Sequence, residues 1–238
     1  MIRNFILAFI FMGLSVLIPK VVKAQQFSIG FRSGVAINHF KADQHLPLSA
    51  IKPATGYFFS LPAELKLNRF LFFSTGISLL QKNYSTIRTG YLSGLYQDNH
   101  NTYMQVPLML GVENRFSKFK IALSAGVYSG YWLRANIKGQ TLNVFDIDIQ
   151  PDEQGQLQSY FRKTAYNEHY KFNNTKDERY ELGLQSEVGL NYTLNKIDIT
   201  LTGAYQNAIT NQQKKYMISQ PATRNNTFIV AIGIKTSF

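Results

Sequence analysis

Residues 227–238 constrain the fold more than any other stretch of the chain. One alternate set reads Phe228, Val230, Ile232, Ile234, Thr236 and Phe238; the other reads Thr227, Ile229, Ala231, Gly233, Lys235 and Ser237. Successive side chains of a strand point to opposite faces, so this segment has one greasy face and one small or polar face. An apolar exterior over a polar interior is the pattern of a strand in a transmembrane barrel.

Seven further segments repeat it, at 27–38, 56–67, 70–82, 103–113, 119–134, 180–194 and 197–206. The links between them alternate in length. Those at Asn68, Asn114 and Asn195 are short, with Asn68-Arg69 read as a two-residue hairpin connection; those at 39–55, 83–102, 136–179 and 207–225 are long. Short periplasmic turns and long external loops characterise bacterial outer-membrane barrels. The expected fold is therefore all-β, an eight-stranded antiparallel up-and-down transmembrane β-barrel with short periplasmic turns, long extracellular loops and both termini periplasmic. The third loop alternates again over 142–149, which predicts that its flanking strands continue beyond the membrane as a hairpin.

The amino-terminus agrees with export. Arg3, an apolar run from Phe5 to Ile18 and small Ala24 read as a cleavable signal over 1–24. That run falls short of the ~20 residues a membrane helix needs, so 25–238 is expected to be one barrel domain. The chain has no cysteine, which excludes disulfides and thiolate chemistry. Its 14 Tyr and 18 Phe suit the aromatic girdles of a barrel.

A soluble ligand barrel would turn its apolar residues inward and strand the alternate charges in that core, at several kcal/mol per unpaired ion. In a membrane barrel, Arg32, Glu64, Lys66, Glu113, Lys120, Glu187, Asp198 and Lys235 become a lumen charge network. Parity adds Lys82, Arg134 and Glu181 to the inward face, and the bulky Phe58, Phe72, Tyr103, Met109, Tyr128 and Trp132. Eight strands leave an interior that side chains can fill, so the lumen is expected to be closed and salt-bridged. Glu113 is expected to pair with Lys120 across their hairpin, and Arg32 and Lys235 to lie near Glu64. The formal charge of +11 falls to +8 once Arg3, Lys20 and Lys23 leave with the signal. The short turns carry Arg69, Arg115, Lys118 and Lys196 without an acid, a bias that suits a membrane face or an acidic partner.

Catalytic patterns are thin. His39, His45, His100 and His169 all fall in or beside expected external loops, near Asp43, Ser49, Asp98 and Glu168. A nucleophile–base–acid set at the rim would suit a lipid-modifying enzyme, but no Gly-x-Ser-x-Gly motif is present. Asp146, Asp148, Asp152 and Glu153 crowd one part of the third loop without EF-hand spacing. No basic patch carries a nucleic-acid-binding motif. The expected function is thus non-enzymatic, without cofactor, metal or nucleic acid: binding a ligand or envelope protein partner through the aromatic-rich second loop and the long third loop, or supporting an envelope or secretion complex. A small-solute channel is the first alternative and a lipid-modifying enzyme the second.

The segment Tyr103-Met-Gln-Val-Pro-Leu-Met-Leu110 resembles the Tyr-Leu-Glu-Ile-Pro-Leu-Leu-Leu form of the small outer-membrane β-barrel family of Bacteroidota, often called porin-like or PorT-like. Further similarity lies in Ala125-Gly-Val-Tyr-Ser-Gly-Tyr131, Ala204-Tyr205 with Ile209-Thr-Asn211, and Phe238. Tyr180-Glu-Leu-Gly-Leu184 stands where the family more often has Phe-Asp-x-Gly. The resemblance covers essentially the whole mature chain. It implies residence among outer-membrane lipid and insertion by the outer-membrane assembly machinery, with Phe228, Val230, Ile232, Ile234 and Phe238 as the insertion signal. Some members of that family look like components of the type IX secretion and gliding apparatus.

Overall fold

The computed structural model describes residues 26–42, 48–151, 154–217 and 221–238. The expected signal over 1–24 lies outside the described residues, as do Asp43, His45, Asp152 and Glu153. The strands are β1 (Phe27–Ala42), β2 (Ser49–Lys66), β3 (Leu71–Gln81), β4 (Tyr84–Arg88), β5 (Tyr96–Phe116), β6 (Phe119–Pro151), β7 (Leu157–His169), β8 (Tyr180–Leu194), β9 (Ile197–Ala208) and β10 (Thr223–Ser237). A 3-10 turn, Gly90–Leu92, joins β4 to β5.

Eight of these close a ring. Antiparallel ladders run β1–β2–β3–β5–β6–β8–β9–β10, and β10 returns to β1 with Val230 opposite Val35. Closure leaves the membrane-spanning wall no unpaired edge, as a bilayer requires of a strand-built span. The expected eight-stranded up-and-down barrel is the observed one. The other two strands lie at the long-loop end: β4 is sandwiched between the start of β2 and the start of β5, and β7 pairs with the far half of β6.

Period-two alternation is kept around the wall. On β5, Met104, Val106, Leu108, Leu110 and Val112 face out, while Tyr103, Gln105, Met109 and Glu113 are buried. The same holds on β10, where Ile232 is 62% exposed beside a 2%-exposed Ala231. So large a continuous apolar surface is incompatible with water and needs lipid around it. Aromatic pairs mark the edges of the belt, Phe119–Tyr192 (5.0 Å) at the short-turn end and Tyr131–Tyr180 (5.0 Å) at the other. From Phe119 to Tyr131 along tilted β6 is about 30 Å of height, the thickness of a bilayer core.

The short turns differ in detail from their sequence reading. The β8–β9 turn is tight, with Asn195 at φ 55°, a left-handed conformation that asparagine tolerates. At β5–β6 the strands run closer than expected, leaving Ser117 (φ 58°) and Lys118 to turn. The β2–β3 turn is wider than the expected two-residue connection. The Leu71 carbonyl accepts from both Leu67 and Asn68 N–H, while Asn68 Oδ1 accepts from Phe70 and Leu71 N–H at 2.8 and 2.7 Å.

The larger departures are at the other end. All four expected loops are partly strand: β2 begins at Ser49, β5 at Tyr96, β6 continues to Pro151 and β10 begins at Thr223. The 142–149 run does belong to a hairpin, but its partner is β7 and not the strand at 180–194. One register shift reverses a parity assignment. Thr102 opposes Arg134 while Tyr103 opposes Trp132, so Leu133 has no opposite residue. A bulge inserts one residue and re-aims those beyond it. Arg134, expected in the lumen, is instead exposed on the outer wall, and Ala135 takes the buried position.

Candidate functional site

The lumen is filled in two layers. In the layer nearer the short turns, Arg32 Nη1 donates to Glu187 at 2.6 Å and Nη2 to Glu64 at 3.4 Å, and Lys235 donates to Glu64 at 2.7 Å. Lys66 holds Glu113 at 2.8 Å, and Lys120 holds Asp198 at 2.6 Å. All eight residues of the expected network are therefore engaged. The partnering of Glu113 and Lys120 is corrected: neither takes the other. Lys120 reaches over β8 to Asp198 on β9, and Glu113 is met by Lys66 from beyond β3. In so narrow a ring, curvature converges side chains from strands two apart, and these chords win over the diagonal within one hairpin.

The second layer centres on Glu181. Its Oε1 accepts from Lys82 Nζ (2.5 Å), Tyr128 Oη (2.9 Å) and Gln105 Nε2 (3.3 Å), and its Oε2 from Asn225 Nδ2 (2.7 Å). Gln206 Nε2 ties this set to Gln105 and Gln185, both at 2.9 Å. Lys82 is wholly buried and lies 4.8 Å from the centre of the Tyr128 ring. Inward parity identified Lys82 and Glu181 separately; nothing in the sequence marked them as one site.

Above them the mouth is capped by stacked rings. Tyr103, Trp132 and Tyr170 stack at 5.9 and 6.0 Å, and Phe172 stands edge-on to Trp132 at 4.9 Å. Arg179 clamps the cap, donating to the Trp132 carbonyl at 2.9 Å from Nη2 and lying 4.2 Å from the Phe172 ring centre. Tyr170 donates to Asp177 at 2.9 Å, and Asp177 accepts the Asn173 N–H at 2.6 Å, which fastens the segment over the mouth. Partial burial and the Asp177 carboxylate push the Tyr170 phenol up to about 12.

Beyond the cap, the two loops singled out by sequence meet. Tyr96 opposes Gln140, and Tyr166 donates to Gln97 Oε1 at 3.2 Å. Between them opens a cavity of about 910 Å³, lined among others by Tyr96, Tyr166, Tyr170, Leu142, Arg88 and Glu168. Burial and the carboxylates of Glu168 and Asp98 raise the Tyr166 phenol. Aromatic faces beside an arginine, a carboxylate and amides suit an amphipathic ligand that both stacks and hydrogen-bonds.

His39 is exposed on β1, and His100 and His169 line a small outer-wall cleft with Arg134. Among the described residues, no hydrogen bond joins a histidine to a serine or a carboxylate. Asp146 pairs with Arg162 at 3.1 Å, and the described residues contain no group of three or more His, Asp or Glu arranged to hold a metal.

No curated protein matches the chain. Solved structures similar to it include Neisserial surface protein A (11% identity, 89% of this chain and 97% of that one, TM-score 0.47). Others are the outer membrane protein OprG from Pseudomonas aeruginosa (16%, 91% and 97%, 0.47) and the outer membrane protease OmpT from Escherichia coli (11%, 91% and 99%, 0.48). The family model described as outer membrane protein beta-barrel domain matches residues 23–213. This closed, lipid-belted barrel belongs to the outer membrane protein beta-barrel domain family and resides in the outer membrane.

Proposed function

We propose that the protein is a sealed, non-enzymatic barrel that recognises a ligand or envelope partner outside the cell with the cavity between β4, β5 and the β6–β7 hairpin. The observation that carries this reading is the contrast between the filled lumen and the cavity beyond its cap. The lumen is blocked by paired charges and stacked rings, whereas the cavity beyond the cap is roomy, concave and mixed in polarity. The alternation of short turns and long extensions supports short turns and both termini in the periplasm. The Tyr103–Leu110 motif supports placement in the porin-like, PorT-like subgroup of Bacteroidota. The greasy face of β10, with Phe228, Val230, Ile232, Ile234 and Phe238, supports recognition by the assembly machinery.

The test is purification of tagged protein from its native outer membrane in mild detergent, with mass spectrometry of stoichiometric companions. Wild type is expected to retain a companion that the double variant Arg88→Ala/Tyr166→Ala loses, while both migrate as folded barrels. Single-channel recording in planar bilayers should be silent. Stable conductance would overturn the sealed reading in favour of a small-solute channel. A companion retained equally by the double variant would remove the cavity from the interface.

A further inference from the structure

The bulge that turns Arg134 outward also completes a second, smaller cavity. It is about 260 Å³ and is lined by Gln81, His100, Thr102, Arg134, Asn136 and His169. Four strands supply them in two cross-strand rows: Gln81–Thr102–Arg134 on β3, β5 and β6, and His100–Asn136–His169 on β5, β6 and β7. Had alternation run unbroken through Leu133, Arg134 would point into the lumen and the first row would end in a neutral side chain.

Chemically the cavity is a set of donors. Among the described residues, no hydrogen bond or ion pair engages the side chain of Arg134, His100 or His169, and no carboxylate lines the cavity. By contrast, all five lumen cations hold a carboxylate. The amide of Asn136 is occupied with Asn167 at 2.9 Å, and Gln81 accepts from Asn83 at 3.3 Å, leaving its own N–H groups available. A guanidinium fork beside two imidazoles and an amide matches a tetrahedral oxyanion, which takes a bidentate arginine and further N–H donors.

Depth selects the source of that anion. Leu79 and Met104, both exposed, are the last apolar outward residues of β3 and β5, two positions below Gln81 and Thr102. The cavity thus begins about 6–7 Å along the strand above the greasy belt, at head-group level. We propose that this cleft binds the phosphate of a membrane lipid in the leaflet next to the long loops, with the acyl chains lying down the Leu79–Met104 wall. The inference rests on the lipid-facing belt and is independent of the loop-cavity ligand.

The test uses the purified full chain, delipidated in dodecyl maltoside, with bound lipid counted by native mass spectrometry. The probes are a dioleoyl phosphatidic acid, the matching diacylglycerol and inorganic phosphate. One phosphatidic acid is expected to bind saturably, with diacylglycerol not binding and excess inorganic phosphate not displacing it. Arg134→Ala should weaken binding about tenfold, the loss of one charge-assisted contact. Arg134→Lys should weaken it less, and His100→Ala/His169→Ala measurably. Lys138→Ala, the next basic outward position on β6, should leave binding unchanged. Equal binding by Arg134→Ala, equal binding of diacylglycerol, or an equal effect of Lys138→Ala would each overturn the site. Displacement by inorganic phosphate would assign it to free phosphate and overturn the lipid source. Heat-modifiable electrophoretic migration of each variant reports the barrel separately, so loss of the fold is not read as loss of the site.

Discussion

Replacing Glu181 by glutamine would test what holds the upper layer of the lumen together. The substitution keeps the side chain's volume and removes its charge, and four donors currently converge on that carboxylate. The most exposed to loss is Lys82, whose side chain is 0% accessible and whose only carboxylate partner among the described residues is Glu181. Its remaining neighbours are the Tyr128 hydroxyl at 3.4 Å and two ring faces at 4.8 and 5.5 Å. Those contacts exist already in the native protein, so they offset nothing. Breaking a buried pair by removing one partner costs about 3–5 kcal/mol. The new amide also brings N–H groups toward the Asn225 and Gln105 donors that now point at an acceptor.

The expected result is a loss of about 3–5 kcal/mol for Glu181→Gln, read from urea unfolding in detergent micelles. Trp132, the single tryptophan, reports the mouth by fluorescence, and heat-modifiable migration reports the barrel. Lys82→Met/Glu181→Gln should recover most of the loss, because replacing a buried pair with groups of similar volume is close to neutral. A Glu181→Gln variant that unfolds with wild type, or a double variant no better than the single one, would refute the claim that the pair stands as a mutually dependent buried unit.

Two further outcomes follow from local geometry. Asn195→Val forces a β-branched residue to φ 55° at the β8–β9 turn and should destabilise the barrel by about 1–2 kcal/mol in the same urea assay, whereas Asn195→Gly should be near neutral. The Tyr170 phenol, held up to about 12 by partial burial and Asp177, favours the closed cap while it stays protonated. That contribution is complete below pH about 10 and is lost as pH rises toward about 12. Trp132 emission should therefore shift to the red across that window in wild type, and Tyr170→Phe should not show the same alkaline step.

Parity made most of this barrel legible. The period-two pattern located all eight wall strands and the buried positions of Phe58, Tyr103, Tyr128 and Trp132, because in a closed wall between lipid and lumen every residue answers to one face or the other. It failed where a second constraint entered. The bulge at Leu133 carries no glycine or proline to announce it, so unbroken alternation sends Arg134 to the wrong face. Sequence displays adjacency along a hairpin, whereas a narrow ring brings together side chains two strands apart, so the partners of Lys120 and Glu113 are hidden in it. Strands β4 and β7 look like loop in the sequence because their polar positions stand clear of the belt, where no lipid enforces alternation.

The charges of the lumen balance. With Arg134 outside, five cations face five carboxylates, and the surplus positive charge lies on the turns, the loops and the outer wall. A conducting path needs a wet track or charged rings that hold an ion loosely. Here the Arg32–Glu187 bond crosses from β1 to β8, and the Lys82–Glu181 layer closes the lumen again above it. The two layers are in series. Opening the first only at its cross-lumen bond, with Arg32→Ala/Glu187→Ala, should leave bilayers electrically silent. Adding Lys82→Ala/Glu181→Ala and opening the ring cap with Trp132→Ala/Tyr170→Ala, in a barrel that still migrates as folded, should produce measurable conductance. Current through the first double variant would mean that the Glu181 layer does not seal.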